Sequence, residues 1–142
     1  MRILFLLFVI AFVNISCGQK NESKRNSNAE DVSSKSPQSN FLKEDIAIYT
    51  VSSIMNQPPS IISAELVNEI YNVKYERPSD GQVFEYRIKF EGTNKVIWAN
   101  KEGRWRDSEY DEKVTYLDNG NKLTITQIFD DGSIVNKVFE KE

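Results

Sequence analysis

The chain has 142 residues, 39% of them apolar, and a formal net charge of −3 from 18 basic and 21 acidic side chains. It has no histidine and one cysteine, which removes histidine general bases, Ser-His triads, histidine metal sites, intramolecular disulfides and multi-cysteine zinc sites. The mildly acidic balance argues against a nucleic-acid binder, which normally presents a basic field.

Met1-Arg2 is a short positive start, and Ile3 to Val13 is an unbroken apolar run. The run is too short to span hydrocarbon as a helix, which takes about 20 residues, but it matches the core of a secretory signal. Asn14-Ile15-Ser16-Cys17-Gly18 follows. Ser16-Cys17-Gly18 resembles the lipobox of bacterial lipoproteins, in which a small residue precedes a cysteine that is diacylated and becomes the mature N-terminus. Asn14 departs from the pattern, which usually has an aliphatic residue there. The resemblance covers residues 1–18. It implies that Cys17 carries lipid, that the chain is held to a membrane through that lipid, and that it resides in the cell envelope. Gly18 stands where some Gram-negative groups have the Asp that retains lipoproteins at the inner membrane, which favours the outer membrane. Ordinary cleavage after Gly18 would instead remove Cys17 and release a soluble secreted protein. A third reading leaves the anchor uncleaved and keeps Cys17 as a mature thiol.

Between Gly18 and Asn40 only Ala29 and Val32 are apolar. Such a segment cannot bury enough surface to offset its ordering entropy, so it reads as a disordered tether with a reach of about 25 Å. The expected organisation is therefore a signal peptide over 1–16, lipidated cysteine and tether over 17–40, and one globular domain over 41–142.

Ser39 or Asn40 is positioned to cap a helix starting near Phe41, and Gln57-Pro58-Pro59 stops it. Ala47, Ile48, Val51, Ile54 and Met55 share one face of this helix, and Leu42, Ile46 and Tyr49 lie roughly opposite. The second stripe is expected to lie under a loop or to meet a partner. Beyond Pro59 the pattern is of strands: 61–67, 70–77, 82–90, 95–99, 113–117, 122–129 and 134–140. The segment 82–90 alternates cleanly, with Phe84, Tyr86, Ile88 and Phe90 on one face. Pro78-Ser79-Asp80-Gly81, Glu91-Gly92-Thr93-Asn94, Asp118-Asn119-Gly120-Asn121 and Asp130-Asp131-Gly132-Ser133 read as turns. Short connections join antiparallel neighbours. The expected fold is α+β: an N-terminal helix packed on a six- to seven-stranded antiparallel meander, or a small closed β-barrel with one helix.

The densest constellation runs from Trp98 to Asp107 and on through Ser108-Glu109-Tyr110-Asp111-Glu112, with Trp98 and Arg104-Trp105-Arg106 as its candidate binding residues. Trp and Arg dominate binding interfaces, and the two arginines suit bidentate capture of an anion or carboxylate. Plain strand alternation would instead send Trp105 inward and pair Arg104 and Arg106 with Glu102, Asp107 or Glu109. The turns at 118–121 and 130–133 lack the ligand spacing and the terminal Glu of a calcium loop. There is no nucleophile elbow, and every glycine of the domain sits singly, so no phosphate-cradling loop is present. No catalytic residues, cofactor or metal are expected, and the chain is not expected to be an enzyme. The residues point to a macromolecule-binding module with a protein partner and no nucleic acid. The alternatives are a carrier of a small apolar or amphiphilic ligand, suggested by the Phe84–Phe90 row, and a structural envelope protein.

Overall fold

The computed structural model of the chain describes residues 39–141. The expected signal, Cys17 and the tether as far as residue 38 lie outside the described residues. Helix α1 (Lys43–Met55) comes first, then a 3-10 turn at Pro59–Ile61. Seven strands follow: β1 (Ile62–Val67), β2 (Ile70–Glu76), β3 (Val83–Glu91), β4 (Lys95–Asn100), β5 (Lys113–Asp118), β6 (Lys122–Ile128) and β7 (Ile134–Glu140).

The helix begins two residues later than the sequence suggests, because neither Ser39 nor Asn40 caps it. Leu42 is the N-cap residue, and Asp45 Oδ2 accepts its backbone N–H at 2.7 Å. The Ser39 hydroxyl is taken instead by Asp118, and it accepts the Phe41 N–H at 3.2 Å. At the other end Asn56 adopts φ 53°, and its N–H bonds the Ser52 carbonyl. This left-handed cap turns the chain out of the helix before the prolines.

The strands form one antiparallel sheet in chain order from β1 to β7, a curled half-barrel. The meander thus has seven strands. The turns enforce this order. Asn68 and Glu69 both have positive φ, 50° and 64°, the backbone of a two-residue type I′ hairpin. Asp118 Oδ1 accepts the Gly120 N–H at 3.0 Å and Asp131 Oδ1 accepts the Ser133 N–H at 2.8 Å. Both acids therefore close their own turns.

Alternation sends Val73, Tyr75, Tyr86, Ile88, Trp98, Val114, Leu123 and Ile125 to the inner face, where they join Ile46, Ala47 and Val51 of α1 in the core. The helix packs on β1, β2 and β6. Those strands lie towards opposite ends of the sheet, so the sheet curls around the helix. A helix in such a trough buries more than one stripe. Ile46 is buried, and the Tyr49 ring lies 4.5 Å from Phe139 and 5.8 Å from Phe41. The second stripe is thus packed on β7 and on the entering chain rather than under a loop, and Leu42 alone among its named residues is exposed. Phe84, Tyr86, Ile88 and Phe90 do share the inner face. Burial, with Tyr75 beside it, pushes the Tyr86 phenol far above its ordinary titration range.

The folded unit is tied at one end of the strands. The Asn40 N–H bonds the Gly120 carbonyl at 3.1 Å, and Lys141 Nζ reaches Asp45 Oδ2 at 2.6 Å. Because the strands alternate in direction, the turns at 68–69, 92–94 and 119–121 share this end. The connections 77–82, 101–112 and 129–133 lie at the other.

Candidate functional site

The connection between β4 and β5, residues 101–112, is far longer than the other turns of the sheet. β4 and β5 pair only at Lys95–Thr115 and Val96–Val114. Beyond Val96 they diverge, and the connection folds back into the gap. The Arg106 N–H donates to the Trp98 carbonyl at 2.9 Å, and the Gly103 N–H donates to the Asn100 carbonyl at 3.0 Å.

Trp98 lies on the inner face and is 5% exposed. Its indole N–H donates to Glu112 Oε1 at 2.9 Å. The Arg106 guanidinium stands 4.4 Å from the Trp98 ring centre and 3.5 Å from Glu112 Oε2. Arg106 and Glu112 thus close over the tryptophan with opposite charges.

Trp105 is on the other side of the sheet, half-buried against the outward side chains of β3. Arg87 and Lys89 each approach its ring to 4.8 Å. Arg87 also donates to the Gly103 carbonyl at 2.6 Å. Ile97 and Ala99, the cross-strand neighbours of Lys89 and Arg87, point away from the helix yet are fully buried. The folded-back connection meets this face through Trp105 on Arg87 and Lys89 and through Asp107, 3.8 Å from Lys89 Nζ.

Arg104 grips Asp111. Nη1 to Oδ2 and Nη2 to Oδ1 are both 2.7 Å, a two-point fork. The Ser108 backbone N–H (3.0 Å) and hydroxyl (2.7 Å) also donate to Asp111 Oδ2. Asp111 is buried and Arg104 is exposed. The Arg104 guanidinium, and then the Ser108 hydroxyl, hold the Asp111 carboxyl far below the usual carboxylate range, and Asp111 in turn raises Arg104. The chain turns at 108–111 around this carboxylate and leaves Tyr110 at its apex, 79% exposed.

The structure thus brings Arg104, Trp105, Arg106 and Trp98 into one connection but splits the tryptophans between the two faces of the sheet. It corrects the pattern expected from strand alternation. Residues 101–112 are not a strand, so period two does not apply to them. Trp98 points into the core, Trp105 covers the outer face, and the arginines pair with Asp111 and Glu112 rather than with Glu102, Asp107 or Glu109. Ser108, Tyr110, Asp111 and Glu112 belong to the stretch that the sequence singles out, yet none of them stands among its expected binding residues. A local signal exists for two of them: Ser108 followed three residues later by Asp111 is a spacing at which a carboxylate closes back on a backbone N–H.

Elsewhere on the outer face an open groove of about 400 Å³ is lined by Ser63, Glu65, Asn72, Lys74, Glu85 and Lys101. Lys101 is bound there by both Glu85 carboxylate oxygens, at 2.8 and 2.9 Å. Among the described residues no helix is long and apolar enough to cross a membrane. Fold and site together define a class: an α+β domain in which a curled antiparallel meander packs around one helix and carries a single long, internally braced connection. No protein-family model matches the chain, and no curated protein or solved structure matches it.

Proposed function

We propose that the chain is an exported cell-envelope protein, anchored through lipid on Cys17, whose domain is a non-catalytic module that binds another protein through the 101–112 connection. The observation that carries this reading is Tyr110, a large aromatic held 79% exposed on a loop braced by the Arg104–Asp111 fork. Ordering a long connection costs conformational entropy, and long ordered loops are disproportionately functional. An exposed tyrosine one residue before the acid that orients the Arg104 guanidinium combines residue types that anchor interfaces. The position suits a tethered protein. The chain enters the domain at Ser39 beside the β5–β6 turn, whereas the connection lies at the far end of β5, about 20 Å away at ~3.3 Å per residue. A partner on that end does not compete with the anchor for space. In this reading α1 is the inner wall that completes an open barrel.

The test has two arms. The intact mass of the mature protein should show a diacylglyceryl Cys17 at the N-terminus; a chain beginning at Gln19 overturns the anchored reading. Capture from envelope extract with wild type and with Tyr110→Ser should recover a protein that the variant loses. Equal recovery by both, with the variant folded, overturns the assignment of this loop.

A further inference from the structure

We propose that the free edge of β7 is a self-association surface, joining two copies of this chain by antiparallel β7–β7 pairing about a two-fold axis at Asn136. The inference does not depend on the function proposed for the 101–112 connection.

The phase of the β6–β7 ladder shows which backbone groups are available. The Phe129 N–H bonds the Ser133 carbonyl, and the Lys141 N–H bonds the Asn121 carbonyl, both at 2.9 Å. In an antiparallel ladder hydrogen-bonded and non-bonded pairs alternate. Val135, Lys137 and Phe139 therefore direct their N–H and C=O groups to β6. Ile134, Asn136 and Val138 direct theirs away from it, to the open edge. Among the described residues β7 pairs with β6 alone.

This edge carries neither a proline nor a bulge. Strand edges are normally blunted by proline, bulges, lysines or inward-pointing charges. β7 has no proline, and its register with β6 is unbroken from Lys122–Glu140 to Ile128–Ile134. Its one lysine, Lys137, is such an inward charge, and it is engaged within its own chain, donating to Asn56 Oδ1 at 2.7 Å.

The strand is self-complementary about Asn136. A two-fold axis there sets Asn136 opposite Asn136 of the second copy, Ile134 opposite Val138, and Val135 opposite Lys137. The residues brought into hydrogen-bonded pairs are the ones whose backbone groups face the edge. No two like charges meet. Ile134 and Val138, 57% and 54% exposed, cover one another across the seam. On the same face Ile134 stands beside the exposed Ile128, its cross-strand neighbour on β6. Asn136 Oδ1 already accepts the Thr126 hydroxyl at 2.7 Å. That contact orients the amide and leaves its N–H groups and one Oδ1 lone pair for the reciprocal contact across the axis. A paired asparagine at the axis also selects this register over its neighbours.

The test uses the full chain with its own leader, purified in detergent, and measures protein mass by sedimentation with the micelle contribution matched out. Wild type should sediment at twice the chain mass. Asn136→Lys, which places two lysines face to face, should sediment at the chain mass. Asn136→Cys should cross-link to a disulfide dimer under mild oxidation, whereas wild type, with the same Cys17, should not. If Asn136→Lys fails to fold, the cysteine variant decides alone. A wild-type monomer, an open-ended assembly, a lysine variant that still dimerises, or a cysteine variant that cross-links no more than wild type each overturns the proposal.

Discussion

Arg104 and Asp111 meet in a two-point ion pair with both contacts at 2.7 Å, and the acid is the buried partner. The carboxylate is also the acceptor for the Ser108 amide and hydroxyl. One acid thereby organises the whole turn at 108–111.

The pair therefore sets a pH dependence with a definite sign. An unfolded aspartate takes up its proton near pH 4, at roughly its ordinary value. In the folded chain Arg104 and Ser108 hold that carboxyl far lower. Its contribution to stability is complete at neutral pH, declines as the pH drops below about 4, and is lost as pH falls through the folded value. The difference in denaturation midpoint between wild type and Asp111→Asn should be flat from about pH 7 to 5 and shrink below pH 4. A difference that persists unchanged into strong acid would contradict the assignment.

Trp98 separates packing from hydrogen bonding. Trp98→Ala should destabilise the domain by about 3–5 kcal/mol, the usual consequence of emptying a large buried site. Trp98→Phe keeps most of the ring but removes the donor to Glu112, and should cost about 1–3 kcal/mol. Urea unfolding of both variants checks this. Equal losses would mean that the indole N–H contributes most of what Trp98 does.

The β1–β2 hairpin holds a residue that opposes its own backbone. Glu69 has φ 64°, a conformation in which a side chain costs roughly 1–2 kcal/mol and glycine costs little. Glu69→Gly creates Asn-Gly, the preferred type I′ pair. It should raise unfolding stability by about 1 kcal/mol, read as a shift of the urea midpoint to higher concentration. A lower midpoint would show that the glutamate side chain makes a contact worth more than the strain.

Most of the strand plan was legible along the chain. The alternation of Phe84, Tyr86, Ile88 and Phe90 identified an inner face because period two is a local property of extended backbone. The Asn-Gly turn at 118–121 and the Asp-Gly turn at 130–133 identified hairpins because positive φ at glycine is also local. The helix start was less legible. Ser39 and Asn40 are good capping residues by type, but Asp118 and Gly120, distant in sequence, bind them first.

What the sequence determined by itself was this local grammar: where strands run, where they reverse, and which side chains share a face. The tertiary structure decided what happens where β4 and β5 part. Residues 101–112 have no period to follow, so their conformation depends on contacts closed across the fold. Trp105 is held by Arg87 and Lys89 from β3, and Trp98 by Glu112 from beyond the turn. Local spacing marked Arg104, Trp105 and Arg106 as notable. Only the folded chain assigned the arginines to Asp111 and Glu112, because the geometry of an ion pair is set by the path of the backbone between its members.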